Sequence, residues 1–162
     1  MRYWDTSVLA KLYLTEADSD YYRSIIAQPG EVIYTSTLSG QELWKTLSAK
    51  RADGLIQPGG ERALYEKFIE QIVAGLIVLA PLGAEVERQF QSVIQTCYNL
   101  PTPIRVRTLD ALHLASAQVM AAREIVCADT RMRTAAMALG IPVYPLPPVT
   151  NGINISTQSQ VK

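Results

Sequence analysis

One histidine, two cysteines and two phenylalanines are all that the 162 residues hold of those types. An HExxH zinc helix needs two histidines, and no Ser-His-Asp triad can be drawn around the lone His113. His113 is therefore expected to serve helix packing or a polar contact. Cys97 and Cys127 lack a close metal-site spacing and are expected to be reduced, buried thiols of a cytosolic protein. The glycines form neither a P-loop nor a GxGxxG turn. No apolar run reaches the ~18–20 residues that cross a bilayer, so no membrane association is expected. The opening "MRYWDTS" has no signal-peptide layout, which makes a cytoplasmic location the expectation. An excess of one charge is missing too: 15 basic residues face 15 acidic ones. Such a balance does not advertise a nucleic-acid binder, although the distribution of charge matters more than its sum. Between Pro101 and Arg133 five arginines (Arg105, Arg107, Arg123, Arg131, Arg133) face three acids (Asp110, Glu124, Asp129), which makes a local basic rim or an ordinary solvated surface.

What is present is a chain 48% hydrophobic and 19% charged, the composition of a globular domain large enough for a substantial core. "RYWD" reads as a short strand and Val8–Leu14 as a helix capped by Thr6 or Ser7. "EADSDYYRSIIAQ" reads as an amphipathic helix stopped at Pro29-Gly30, and "EVIYTS" as a strand. "TLSGQELWKTLSAKRADG" and "ERALYEKFIEQIV" follow as helices, then "LIVLAP" as a strand and "GAEVERQFQSVIQTCY" as a helix. "NLPTPIRVR" is a proline-broken loop. "TLDALHLASAQVMAARE", "IVCAD", "TRMRTAAMALG" and "IPVYPL" complete a helix–strand–helix–strand series. "LIVLA" and "IVCA" lack period-2 alternation, as strands buried on both faces do. The pattern predicts a three-layer α/β/α sandwich with a central, mostly parallel sheet. The domain is expected over residues 1–147, with 148–162 as a polar C-terminal tail.

Four acids fall at telling places. Asp5 ends the first strand and Asp129 the strand "IVCAD". Glu42 and Asp110 lie in the first turns of helices. In open parallel sheets ligands bind beyond the carboxyl ends of the strands. Each acid also has an ordinary explanation: Asp5 and Asp129 as helix caps, Glu42 in a capping box with Ser39, Asp110 on a helix dipole behind a Thr108 cap. Two carboxylates ~5 Å apart repel by roughly 3 kcal/mol at an effective dielectric of ~20. Four in one pocket would strain a fold whose whole margin is about 5–15 kcal/mol. The acids are scattered, or some are protonated, or a hard divalent cation sits among them; in that last case phosphoryl chemistry is the leading use.

The blocks "DTSVLAKLY" (5–13), "ELWKTL" (42–47), "LDALHLASA" (109–117) and "ADTRMRTAAMALGIPVY" (128–144) resemble, in order and spacing, those of PIN-domain ribonucleases, most of all VapC-type toxins of toxin–antitoxin pairs. The resemblance spans about residues 2–146. It implies a PIN-like fold and an endoribonuclease using Mg²⁺ or Mn²⁺, held by Asp5, Glu42, Asp110 and Asp129 as the catalytic cluster. Ser7 matches the small hydroxyl residue that often supports the first acid, and Thr6 is a weaker candidate. The resemblance also implies a homodimer and a small antitoxin partner. Lys11, Arg131 and Arg133 are candidates for RNA phosphates. Trp4, Trp44 and the tyrosines are expected in packing rather than on bases. Two features depart from the family pattern: the expanded 98–107 loop and the 148–162 tail. A haloacid-dehalogenase-like phosphatase would want an aspartate where Ser7 stands. A response-regulator receiver would want an acid in "LIVLAPLG" and a lysine in "VYPLPP". The non-enzymatic alternative is a PIN-like module that binds RNA or protein without cutting.

Overall fold

A computed structural model describes residues 1–148, so the tail expected over 148–162 lies, but for its first residue, outside the described residues. Eleven elements alternate much as the hydrophobic pattern requires: β1 (Arg2–Trp4), α1 (Thr6–Ala10), α2 (Ser19–Ile26), β2 (Ile33–Ser36), α3 (Leu38–Ala52), α4 (Gly60–Val73), β3 (Ile77–Ala80), α5 (Ala84–Tyr98), α6 (Thr108–Val119), β4 (Glu124–Val126) and α7 (Thr130–Ala138). The four strands are all parallel, in the order β3-β2-β1-β4. Tyr3 pairs with Ile125 and Trp4 with Val126, while Ile33 pairs with Ile77.

Successive strand residues point to opposite faces, and each face has its own core. Trp4 and Val126 join Val8, Leu9, Tyr22, Ile25, Leu43, Leu47 and Phe68 from α1–α4. Tyr3 and Ile125 join Val93, Cys97, Leu114, Ala115, Met132 and Ala135 from α5–α7. The sheet is therefore sandwiched between two helix layers, as expected. Among the described residues no helix is long and apolar enough to cross a membrane.

Two expectations need correction. The helix expected over Val8–Leu14 starts earlier, at Thr6, and its regular part ends at Ala10. "IPVYPL" is not a strand. Only Val143 bridges to Ile125, through Ile125 N–H to Pro142 O and Tyr144 N–H to Ile125 O, each 2.9 Å. Pro142 and Pro145 lack the N–H that a longer ladder needs. The proline-broken loop before α6 is irregular, as expected. It is pinned by Ile104 N–H to Cys97 O (2.9 Å) and by the buried Val106.

Topology fixes where a site can form. The chain builds β1, β2 and β3 outward in one direction, then crosses to the far side of β1 to lay down β4. That reversal opens a crevice at the carboxyl edge between β1 and β4. Asp5 follows β1 directly, and Asp129 follows β4 after Cys127 and Ala128. β2 on the other flank of β1 delivers α3, which carries Glu42.

Candidate active site

Asp5 and Asp129 do cap helices. Asp5 is only 6% exposed and accepts the Ser7 N–H at 3.2 Å and the Ser7 hydroxyl. Asp129 accepts the Met132 N–H at 2.9 Å. The capping box does not form: the α3 N-cap is Thr37, and Ser39 is buried, 2.6 Å from the Thr35 hydroxyl. Thr108 does not cap α6 either, because Arg107 holds that position.

Charge links the acids in part: Asp5 and Asp129 act on Asp110, and Glu42 acts on Asp5. Burial, then the charges of Asp5 and Asp129, push Asp110 above the ordinary carboxylate range, with Arg107 and His113 pulling back. Burial also raises Asp5; His113 and the Ser7 hydroxyl oppose this, while Glu42 adds to it. For Glu42 burial works against ionisation, but the hydrogen bond and charge of His113, the Thr6 hydroxyl and Lys45 outweigh it and leave its pKa lowered. The Asp110 Oδ2 atom is buried with no hydrogen-bond partner, an arrangement that costs about 1–3 kcal/mol unless something else satisfies it. Among the described residues no three His, Cys, Asp or Glu side chains are gathered into a ready-made ion cage.

The donor set still fits a hard divalent cation. It offers carboxylate oxygens that repel one another, one of them orphaned, and Mg²⁺ completes its shell with several waters rather than demanding an all-protein cage. Cys97 and Cys127 are both free and buried, as expected. Burial raises the Cys127 thiol further from ionisation, and the charges of Asp5 and Asp129 add to the effect.

The structure also shows a buried polar string that the sequence did not disclose. Tyr3 Oη lies 2.8 Å from His113 Nδ1, and His113 Nε2 lies 2.7 Å from Glu42 Oε2. Thr6 Oγ1 is 2.5 Å from the same Glu42 oxygen and 3.0 Å from Ser39 Oγ. The spacing of Asp110 and His113 was the available signal, since residues three apart share one helix face.

The expected cations divide. Lys11 Nζ sits 2.6 Å from both Asp18 oxygens and over the Tyr22 ring, so its charge is held inside the fold. Arg133 donates to the carbonyls of Cys127 and Tyr144, each at 2.8 Å, and ties α7 to the last segment. Arg131 is exposed in the first turn of α7, with no ion pair among the described residues. Of the two readings of 101–133, a single basic rim does not form, because Arg123 lies at the opposite, amino edge of the sheet, where its N–H meets Met1 O at 3.0 Å. Two cations other than Lys11, Arg131 and Arg133 stand beside the acids. Arg107, 62% exposed, reaches to 3.9 Å from Asp129 Oδ2. Lys45 lines a cavity beside Glu42 with Leu38, Gln41, Thr46 and Leu109.

Comparison with known proteins agrees with this architecture. FitAcB from Neisseria gonorrhoeae superposes with a TM-score of 0.66 at 17% identity, covering 90% of this chain and 97% of that one. Mycobacterium tuberculosis VapC20, described as a sarcin–ricin loop cleaving toxin, gives 0.61 at 18% identity over 83% of this chain and 95% of its own. A toxin–antitoxin complex from Klebsiella pneumoniae gives 0.56 at 13% identity over 90% and 97%. No curated protein matches the sequence. The family model described as the PIN domain matches residues 2–137, a span that takes in all four acids and every strand, and the chain belongs to that family.

Proposed function

We propose that this chain is the nuclease toxin of a toxin–antitoxin pair, an endoribonuclease that hydrolyses RNA phosphodiester bonds with a divalent ion, Mg²⁺ or Mn²⁺. The observation that carries the reading is the orphaned Asp110 Oδ2, buried without a hydrogen-bond partner and within the influence of two further acids. Likeness to VapC20 and to toxin–antitoxin complexes supports RNA as substrate and a small antitoxin as partner.

Asp5, Glu42, Asp110 and Asp129 would hold the ion. When bound, the ion would supply positive charge to the phosphate and make a nearby water more acidic. Ser7 steadies Asp5 from its N–H and its hydroxyl, so that the carboxylate keeps one orientation while the helix cap stays closed. Arg107, Lys45 and Arg131, all exposed, would meet backbone phosphates, which position RNA without reading it. Lys11 and Arg133 would act indirectly, by holding α2 and α7 in place.

The test is cleavage of labelled RNA by the purified chain with Mn²⁺, with Mg²⁺ and with EDTA. Cutting should require metal, and Asp5→Asn should lower it ~10²–10³-fold, the scale of losing a main electrostatic element of a site. Undiminished cutting in EDTA, or by Asp5→Asn, would remove the proposal.

A further inference from the structure

We infer that His113 is a positioning residue that aims Glu42 into the acidic crevice, with Tyr3 locking the imidazole from behind. The inference rests on the nuclease reading above and assigns duties to residues outside the acidic cluster.

Tyr3, His113 and Thr6 are 0%, 1% and 5% exposed; His113 and Thr6 meet one Glu42 oxygen, and Tyr3 stands behind His113 on the other ring nitrogen. Glu42 Oε2 takes two donors, His113 Nε2–H at 2.7 Å and Thr6 Oγ1–H at 2.5 Å. A carboxylate only accepts, so Nε2 must carry a hydrogen whichever role Nδ1 takes toward the Tyr3 hydroxyl at 2.8 Å. The tyrosine and the carboxylate together fix both ring nitrogens and leave the imidazole no second orientation. Tyr3 also meets the His113 ring edge-on, with centroids 5.9 Å apart.

The two Glu42 oxygens are treated unequally. Oε2 is anchored, while among the described residues no hydrogen bond reaches Oε1. A group that needs only burial would be satisfied at both ends; this one is held by one oxygen and offers the other. Lys45, one turn along α3 and exposed, attracts the same carboxylate from the solvent side. Without the His113 donor, Glu42 is free to turn toward Lys45 and away from the crevice. α6 carries both Asp110 and His113, so one helix rotation sets an acid of the cluster and the aim of another acid on α3.

The test uses the full chain and two readouts, Mn²⁺ affinity by calorimetry and kcat against KM on a short RNA. Partners of site carboxylates typically matter 10–100-fold, so His113→Leu should weaken Mn²⁺ binding about tenfold and lower kcat with KM little changed. His113→Gln keeps an N–H donor at similar reach and should recover most of both losses. Tyr3→Phe keeps the ring packing, loses only the lock, and should give a smaller loss in the same two quantities. Wild-type affinity and kcat in folded His113→Leu would overturn the inference. If that variant does not fold, an unchanged Tyr3→Phe together with a His113→Gln no better than a fully inactive site would do so. A wild-type chain that takes up no Mn²⁺ overturns the underlying nuclease reading, and this inference with it. That result is read on wild type alone and cannot be mistaken for a failure of the variants.

Discussion

At Asp110 an isosteric change separates stability from chemistry. Its folded pKa is raised, so the folded state binds a proton more readily than the unfolded chain does. The resulting penalty is absent below the unfolded value of about 3.9 and grows as pH rises through the folded one. Without metal, Asp110→Asn should therefore stabilise the protein at neutral pH, seen as a higher Tm than wild type. The difference should vanish below about pH 3.9, which thermal unfolding across a pH series would check. Saturating Mn²⁺ should reverse the order, since ligand at 100 times its Kd stabilises the native state by about 2.7 kcal/mol. The variant, lacking the charge, should gain less. A second residue-scale expectation concerns Lys45. Lys45→Ala should raise KM for RNA a few-fold, leave kcat nearly unchanged and reduce the salt slope by about one.

Among the elements α6 couples the core to the site. Its buried face (Ala111, His113, Leu114, Ala115) packs beneath Asp110, and Leu114 is fully buried in the core shared with α5 and α7. Leu114→Ala should cost ~2–5 kcal/mol in urea unfolding, by the transfer and cavity terms together. At this scale the sequence was readable where one rule dominated. Apolar runs marked β3 and β4, and Gly54 and Gly140, both at positive φ, marked two helix ends. Asp5 and Asp129 were legible twice over, as caps and as acids at strand ends. "IPVYPL" misled because its residue types favour a strand while its prolines deny the ladder. Glu42 misled differently: Ser39 and Glu42 have capping-box spacing, yet Ser39 is drawn to Thr35 and Glu42 to His113 by tertiary contacts. Burial of one histidine against a tyrosine on β1 and a glutamate on α3 depends on residues far apart in the chain, so local pattern offered only the shared helix face of Asp110 and His113 and not the partners.

For the whole molecule, strand order matters more than any single contact. Laying β4 beside β1 rather than beside β3 brings residues 5 and 129 to one edge, where Asp110 feels the charge of both and Asp5 that of Glu42. The charge balance that argued weakly against a nucleic-acid partner conceals this polarity. Arg107 and Arg131 stand at the carboxyl edge, whereas Arg123 and the Arg2–Glu31–Glu124 pairs occupy the other. Double substitution of Arg107 and Arg131 should therefore weaken RNA binding and Arg123→Ala should leave it alone, a contrast that binding isotherms at two salt concentrations would reveal.

Asp5 and Asp129 each begin a helix with the same carboxyl group that the nuclease reading assigns to the ion. Asparagine caps a helix as well as aspartate does, because an amide oxygen accepts the same N–H. Exchanging the acid for its amide at either place should silence the protein while the architecture stands. An inert decoy, still shaped to engage whatever restrains the active form, is thus within reach of a single codon change.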